Sequence, residues 1–160
     1  MTVQLRTASA EQTKEMAAVV AEHVRPGDLL LLVGDLGAGK TTFAQGFARA
    51  LGVEEAVTSP TFTLARTYPG RLSMHHVDVY RLERMSEVGD LALGELIDSN
   101  GVTLIEWGDA IVAALPPAYL EVRLEFADEP DDRTVGVRAV GQGWQLRLPA
   151  LTTNLARWRC

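Results

Sequence analysis

The chain has 160 residues, a length that fits one domain with its own buried core. An apolar fraction of 47%, a charged fraction of 22% and a net charge of −6 indicate a globular protein and argue against tight nucleic-acid binding through a basic surface. There is no apolar run long enough for a membrane span, residues 1–25 lack a signal-peptide pattern, and the only cysteine is Cys160, so we expect a cytoplasmic protein.

The N-terminal part of the chain predicts a strand, a helix and a second strand. Residues 3–6 are predicted as a short strand. Ser9 and Gln12 have the spacing of a capping box, which predicts a helix that ends before the Pro-Gly pair at 26–27. The run at 29–33 is short and entirely apolar, and is therefore predicted as a buried parallel strand.

A phosphate-binding motif follows that strand. Residues 34–41 read Gly-Asp-Leu-Gly-Ala-Gly-Lys-Thr and satisfy the Walker A pattern G-x-x-x-x-G-K-[ST], and residues 42–51 have helical spacing. The glycines let successive N–H groups point at a phosphate beside the helix N-terminus. Lys40 is predicted to reach the β- and γ-phosphates, and the Thr41 hydroxyl to ligate Mg²⁺. The motif therefore predicts binding of a nucleoside triphosphate.

The rest of the chain predicts a mixed sheet. A hydroxyl-rich loop is followed by three predicted strands, at 64–68, 72–80 and 102–106. Helices are predicted at 86–97 and 110–115. Apolar and polar residues then alternate in three segments, at 120–126, 135–137 and 144–148. This alternation predicts three strands that extend the sheet in antiparallel orientation.

The predicted fold class follows from this order of elements. It is α/β, a P-loop NTPase-like three-layer sandwich whose mixed sheet has a parallel core and an antiparallel C-terminal extension. We expect a single P-loop ATPase domain over residues 1–160, with about 150–160 as a tail.

Hydrolysis needs further groups besides the P-loop. A carboxylate must sit near Mg²⁺, and another group must orient the attacking water. Glu106 ends an apolar strand, as a Walker B acid does, and Asp78 alternates within another predicted strand, from which it could face the same site. Ser59 and Thr61 occupy the position of a switch loop that senses the γ-phosphate. On the residues alone, the acids remain open to a second interpretation as solvated strand-end carboxylates, and the loop as a plain surface loop.

Two adjacent histidines lie in the same predicted strand as Asp78. His75 and His76 should point to opposite faces of the sheet, because successive side chains alternate along a strand. A shared metal site is therefore disfavoured. We expect each histidine to be packed or hydrogen-bonded.

Four ordered segments together resemble the bacterial TsaE (YjeE) family. They are Gly-Asp-Leu-Gly-Ala-Gly-Lys-Thr-Thr at 34–42, Ser-Pro-Thr-Phe-Thr-Leu at 59–64, His-Val-Asp-Val-Tyr-Arg-Leu at 76–82 and Ile-Glu-Trp at 105–107. The resemblance implies an ATPase that hydrolyses ATP to ADP and phosphate to support the TsaB–TsaD transferase of tRNA threonylcarbamoyladenosine modification. The partners would perform the transfer, and tRNA would be reached only through the complex.

The resemblance also implies individual roles. Lys40 and Thr41 would bind phosphate and Mg²⁺, Asp78 would be the catalytic acid and Glu106 would hold the metal. The residues implied to contact ATP are Asp35, Gly37, Ala38, Gly39, Lys40, Thr41, Thr42 (on the α-phosphate side), and Thr13 and Arg133 (at the adenine end).

Two other functions remain open on the residues alone. A small-molecule or nucleoside kinase needs an arginine-bearing lid, for which residues 81–84 are the only short basic candidate. A nucleotide-dependent binding module would keep the P-loop and hydrolyse nothing.

Overall fold

The computed structural model describes residues 2–59, 65–78, 97, 100–106 and 115–160. Within these residues the chain forms seven strands and three α-helices. The strands are β1 (Thr2–Thr7), β2 (Leu29–Val33), β3 (Ala65–Tyr68), β4 (Met74–Asp78), β5 (Val102–Glu106), β6 (Tyr119–Phe126) and β7 (Arg133–Val140). The helices are α1 (Ala10–Ala21), α2 (Lys40–Ala50) and α3 (Gln142–Asn154).

All seven strands belong to one mixed sheet, in the order β1-β7-β6-β2-β5-β4-β3. Strands β6, β2, β5 and β4 run parallel to their neighbours in the centre, whereas β3 at one edge and β7 and β1 at the other are antiparallel. The predicted α/β class, with a parallel core and an antiparallel C-terminal extension, is confirmed. Because β2, β4 and β5 are parallel, their carboxyl ends share one edge of the sheet, where the P-loop begins.

Apolar side chains cover both faces of the sheet. Leu30 in β2 belongs to a cluster shared with α1, α2 and α3, and the next residue, Leu31, belongs to a second cluster on the opposite face. Helices α1 and α2 pack very closely, since a Cβ on Gly46 would lie 2.4 Å from the Cα of Lys14. This close packing fixes α2, and with it the P-loop, against the N-terminal helix.

The C-terminal segment differs from its prediction. Residues 144–148 are helical, so the prediction of a third antiparallel strand there is wrong. Trp144, Leu148 and Leu151 are buried at helical spacing, whereas Leu146 is 74% exposed. Two patterns overlap in this segment, and Pro149 within the helix disfavours the helical interpretation.

The residues after α3 pack against the first strand. A 3₁₀ turn spans Ala156–Trp158, and the Trp158 side chain is buried. The backbone N–H of Cys160 donates to the carbonyl of Gln4 at 3.3 Å.

Some predictions fall on residues outside those that the structure describes. The helix predicted at 86–97 is described only at Ile97, and the helix at 110–115 only at Leu115. Both residues are buried in the second apolar cluster. None of the helices in the described part of the chain is long and apolar enough to cross a membrane.

Candidate functional site

The P-loop connects the end of β2 to the start of α2. Gly39 is the N-cap of α2 with φ +115°, a conformation that favours glycine. A Cβ on Gly34 would lie 2.5 Å from the carbonyl oxygen of Leu124 in β6, so the loop passes directly over that strand. Because Gly39 has no side chain to cap the helix, the first N–H groups of α2 are available to an anion.

The Lys40 side chain lies inside the loop. Its Nζ donates to the carbonyl oxygens of Gly34 at 2.5 Å and Asp35 at 3.1 Å. Burial lowers the pKa of Lys40, and the carboxylates of Glu106, Asp78 and Asp35 partly oppose that shift. A bound phosphate would add a further negative charge and so favour the charged ammonium.

Two carboxylates end adjacent parallel strands beside the P-loop. Asp78 and Glu106 are directly opposite in the register of β4 and β5, and both are buried. The Thr41 hydroxyl lies 3.4 and 3.5 Å from the two carboxylate oxygens of Glu106. The Ser59 hydroxyl donates to Oδ2 of Asp78 at 3.1 Å. The structure therefore brings the predicted P-loop, acidic and switch-loop residues together; Thr61 lies outside the described residues.

The two histidines have separate environments on opposite faces of β4. His76 is fully buried, and its Nε2 is hydrogen-bonded to Oε2 of Glu106. His75 Nδ1 lies 2.9 Å from the Thr67 hydroxyl, and burial lowers the pKa of His75. Sequence reasoning did not predict the contact with Glu106, although the i, i+2 spacing of His76 and Asp78 places both on one face of the strand.

A small cavity lies at the other end of the P-loop. Its volume is about 80 Å³, and it is lined by Ala10, Thr13, Gly37, Ala38, Gly39, Thr42, Asp131 and Arg133. Thr13 and Arg133, which are predicted at the adenine end, line this cavity together with Thr42. Asp131 was not predicted here, because it belongs to no motif and reaches the cavity only through the fold.

Arg133 and Thr13 are each held by specific contacts. Arg133 donates from Nε to the Ala38 carbonyl at 2.9 Å and from Nη2 to the Gly37 carbonyl at 3.4 Å. Its guanidinium carbon lies 4.6 Å from the ring centre of Phe126. The Thr13 hydroxyl is hydrogen-bonded to the buried Thr7 hydroxyl at 2.8 Å. Arg133 thus connects β7 to the P-loop backbone.

Comparison with known proteins identifies the family of the chain. The sequence model of the family described as "Threonylcarbamoyl adenosine biosynthesis protein TsaE" matches residues 7–135. A tRNA threonylcarbamoyladenosine biosynthesis protein TsaE from Bacillus subtilis is 44% identical over 150 residues, 93% of each chain. The protein of that name from Treponema pallidum is 40% identical over 128 residues, 79% of this chain and 95% of its own.

A solved structure shares the fold. The crystal structure of YdiB from Bacillus subtilis superposes with a TM-score of 0.81 at 38% sequence identity, covering 98% of this chain and 95% of YdiB. The family match includes the P-loop, both strand-end acids and Arg133. The chain belongs to the TsaE family.

Proposed function

We propose that this protein is a cytoplasmic ATPase of tRNA N6-threonylcarbamoyladenosine formation, which hydrolyses ATP to ADP and phosphate while assembled with TsaB and TsaD. Family membership and the names of the relatives support the pathway. The observation that carries the ATPase assignment is the meeting of Lys40, Thr41 and Glu106 beside a helix N-terminus. Transfer of the threonylcarbamoyl group is assigned to the partners, which also hold the tRNA.

The donor set beside the P-loop suits Mg²⁺. A hydroxyl from Thr41 and a carboxylate from Glu106 face each other as hard oxygen ligands. Magnesium in nucleotide sites is held by one or two carboxylates together with water and phosphate oxygens. Thr41 and Glu106 would hold the ion, which when bound neutralises charge on the phosphates.

The chain's own groups account for the remaining requirements of hydrolysis. Lys40 would exchange its two backbone carbonyl partners for phosphate oxygens, a short movement within the loop. The Asp78 carboxylate, which Ser59 holds by a hydrogen bond, is assigned to orient the attacking water and accept its proton. Ser59 would link the state of the switch loop to that carboxylate.

The surface around the cavity at the other end of the loop is assigned to the adenosine part of the nucleotide. Thr42 lies between the two ends, in the first turn of α2, which agrees with a position near the α-phosphate. The contacts of Arg133 with the carbonyls of Gly37 and Ala38 would fix the loop that separates base from phosphates.

The test is ATP turnover by the isolated chain and then with TsaB and TsaD. We expect slow or negligible hydrolysis alone and clear stimulation in the complex, which Lys40→Ala abolishes. Lys14→Ala is the matched control, because Lys14 is the only other lysine in the chain. Robust phosphate transfer to a small acceptor by the isolated chain would indicate a kinase instead. Nucleotide binding without hydrolysis in either setting would indicate a binding module.

A further inference from the structure

A buried hydrogen bond supports the acid that we assign to Mg²⁺. Glu106 and His76 are both almost completely excluded from solvent, and Nε2 of His76 is hydrogen-bonded to Oε2 of Glu106. An ionised Glu106 can only accept, and the imidazole then supplies the proton of this bond from Nε2. A buried carboxylate requires such a partner, because burial without a hydrogen bond is costly.

The position of His76 follows from the register of two parallel strands. Asp78 lies opposite Glu106, and His76, two residues earlier, lies opposite Leu104 on the same face of the sheet. The imidazole therefore approaches Glu106 from the interior, behind the pair of acids. The Thr41 hydroxyl lies 3.4 Å from Oε1 of Glu106 and 3.5 Å from Oε2, the oxygen that His76 also contacts. Glu106 is thus held between a buried donor and the P-loop threonine.

We propose that His76 is a positioning residue that fixes the Glu106 carboxylate toward Thr41 and so sets the magnesium site before nucleotide arrives. His76 acts through Glu106 and has no contact with the nucleotide. This inference rests on the proposed function, because it assigns the Glu106 carboxylate to Mg²⁺. Partners that orient ligating groups are a common requirement of metal sites, and their loss typically lowers metal affinity or activity by about 10- to 100-fold.

A purely structural role for the pair is the competing explanation. Loss of His76 would then lower stability and leave magnesium binding unchanged. The measurement that separates the two is the magnesium ratio, defined as the Kd of a non-hydrolysable ATP analogue in EDTA divided by its Kd in Mg²⁺. The analogue avoids turnover, so the ratio reports metal-assisted binding alone.

His76→Leu should lower the magnesium ratio about tenfold and leave the Kd in EDTA nearly unchanged. His76→Gln should restore most of the ratio, because its side-chain amide carries a donor near the position of Nε2. The matched control is His75→Leu, a neighbouring buried histidine on the opposite face that contacts Thr67 instead of Glu106. It should lower the melting temperature and leave the ratio unchanged. If His76→Leu does not fold, His76→Asn is the second variant. It should lower the magnesium ratio to the same extent, because its shorter amide does not reach Glu106.

A double-mutant cycle completes the test. In a Glu106→Gln background, His76→Leu should change the ratio no further, because the acid that His76 positions has already been removed. An unchanged ratio in folded His76→Leu or His76→Asn, or equal losses for His75→Leu and His76→Leu, would overturn this inference and leave the proposed function intact. Absence of magnesium-assisted binding in the wild-type chain would overturn both.

Discussion

The two ends of the candidate site are built differently. We call the residues around Lys40, Asp78 and Glu106 the phosphate end, and the cavity lined by Thr13 and Arg133 the base end. At the phosphate end, the Lys40, Asp78 and Glu106 side chains are buried, and Glu106 contacts other side chains across two parallel strands and α2. At the base end, Arg133 is partly exposed and donates mainly to backbone carbonyls. Removing one member of a buried, charged cluster has a large free-energy cost because it leaves a buried charge without its partner. Removing a partly exposed side chain that contacts backbone carbonyls has a smaller cost. We therefore expect changes at the phosphate end to affect turnover and changes at the base end to affect affinity.

The largest effect is expected from Lys40→Ala. Loss of the charge that we assign to stabilisation of the transferring phosphoryl group should lower partner-stimulated turnover by about 100-fold or more. Nucleotide affinity should fall by roughly 10- to 100-fold, as expected for a hydrogen bond to a charged group. Steady-state hydrolysis and calorimetry measure the two quantities. Equal losses in Lys14→Ala would show that the effect is not specific to the P-loop.

The two acids of the phosphate end should respond differently to substitution, because Asp78 is assigned to the attacking water and Glu106 to Mg²⁺. Asp78→Asn should lower turnover by about 100-fold and leave affinity for the magnesium–nucleotide complex within about threefold, because Asp78 is assigned to water. Glu106→Gln should lower turnover and also raise the Mg²⁺ concentration needed for half-maximal activity. Magnesium titrations of both variants test this difference. Unchanged partner-dependent activity in Glu106→Gln would remove the metal assignment.

At the base end, Arg133→Ala should lower affinity for ADP and ATP about tenfold, through loss of the contacts with Gly37 and Ala38. Turnover at saturating ATP should change little. Arg138→Ala, on the same strand but paired with Glu121, is the matched control and should leave affinity unchanged. A large loss of turnover at saturation in Arg133→Ala would contradict the division between the two ends.

The smallest effect concerns a histidine outside both ends. Burial lowers the pKa of His75 below its ordinary value of 6.5, so the unfolded chain takes up a proton there more readily than the folded one. The stability contribution is therefore full above about pH 6.5 and is lost as the pH falls toward the folded-state pKa. His75→Gln should flatten the decrease in unfolding free energy between about pH 7 and about pH 5. Denaturant unfolding at several pH values measures this decrease, with His23→Gln as the control. An unchanged dependence of the unfolding free energy on pH in His75→Gln would contradict the lowered pKa of His75.

The parts of the site that could be predicted from local patterns are those encoded by contiguous residues, whereas Thr13 and Arg133 are predicted only from the family resemblance. The P-loop lies within eight positions, and Glu106 directly follows an apolar strand. The contact of Arg133 with Ala38 joins residues 95 positions apart, and the contact of His76 with Glu106 depends on the parallel register of β4 and β5. Neither contact leaves a signature in the spacing of nearby residues, so neither could be predicted from periodicity.

The error in α3 has a local cause. Trp144, Leu146 and Leu148 alternate as a strand would, whereas Trp144, Leu148 and Leu151 have the helical spacing that the structure shows. Burial selects between the two patterns, since Leu146 is exposed and Leu151 is buried. Only the neighbouring elements, β7 and α1, decide which side chains have a surface to pack against.

The most direct test of the central claim is a crystal structure of this chain with a non-hydrolysable ATP analogue and Mg²⁺. We predict that the ion is held by the Thr41 hydroxyl on the side of Glu106. Lys40 Nζ should have moved from the carbonyls of Gly34 and Asp35 to the phosphates, with the adenine beside Thr13 and Arg133. A nucleotide bound with its phosphates away from residues 34–41, or an ion distant from both Thr41 and Glu106, would contradict the account.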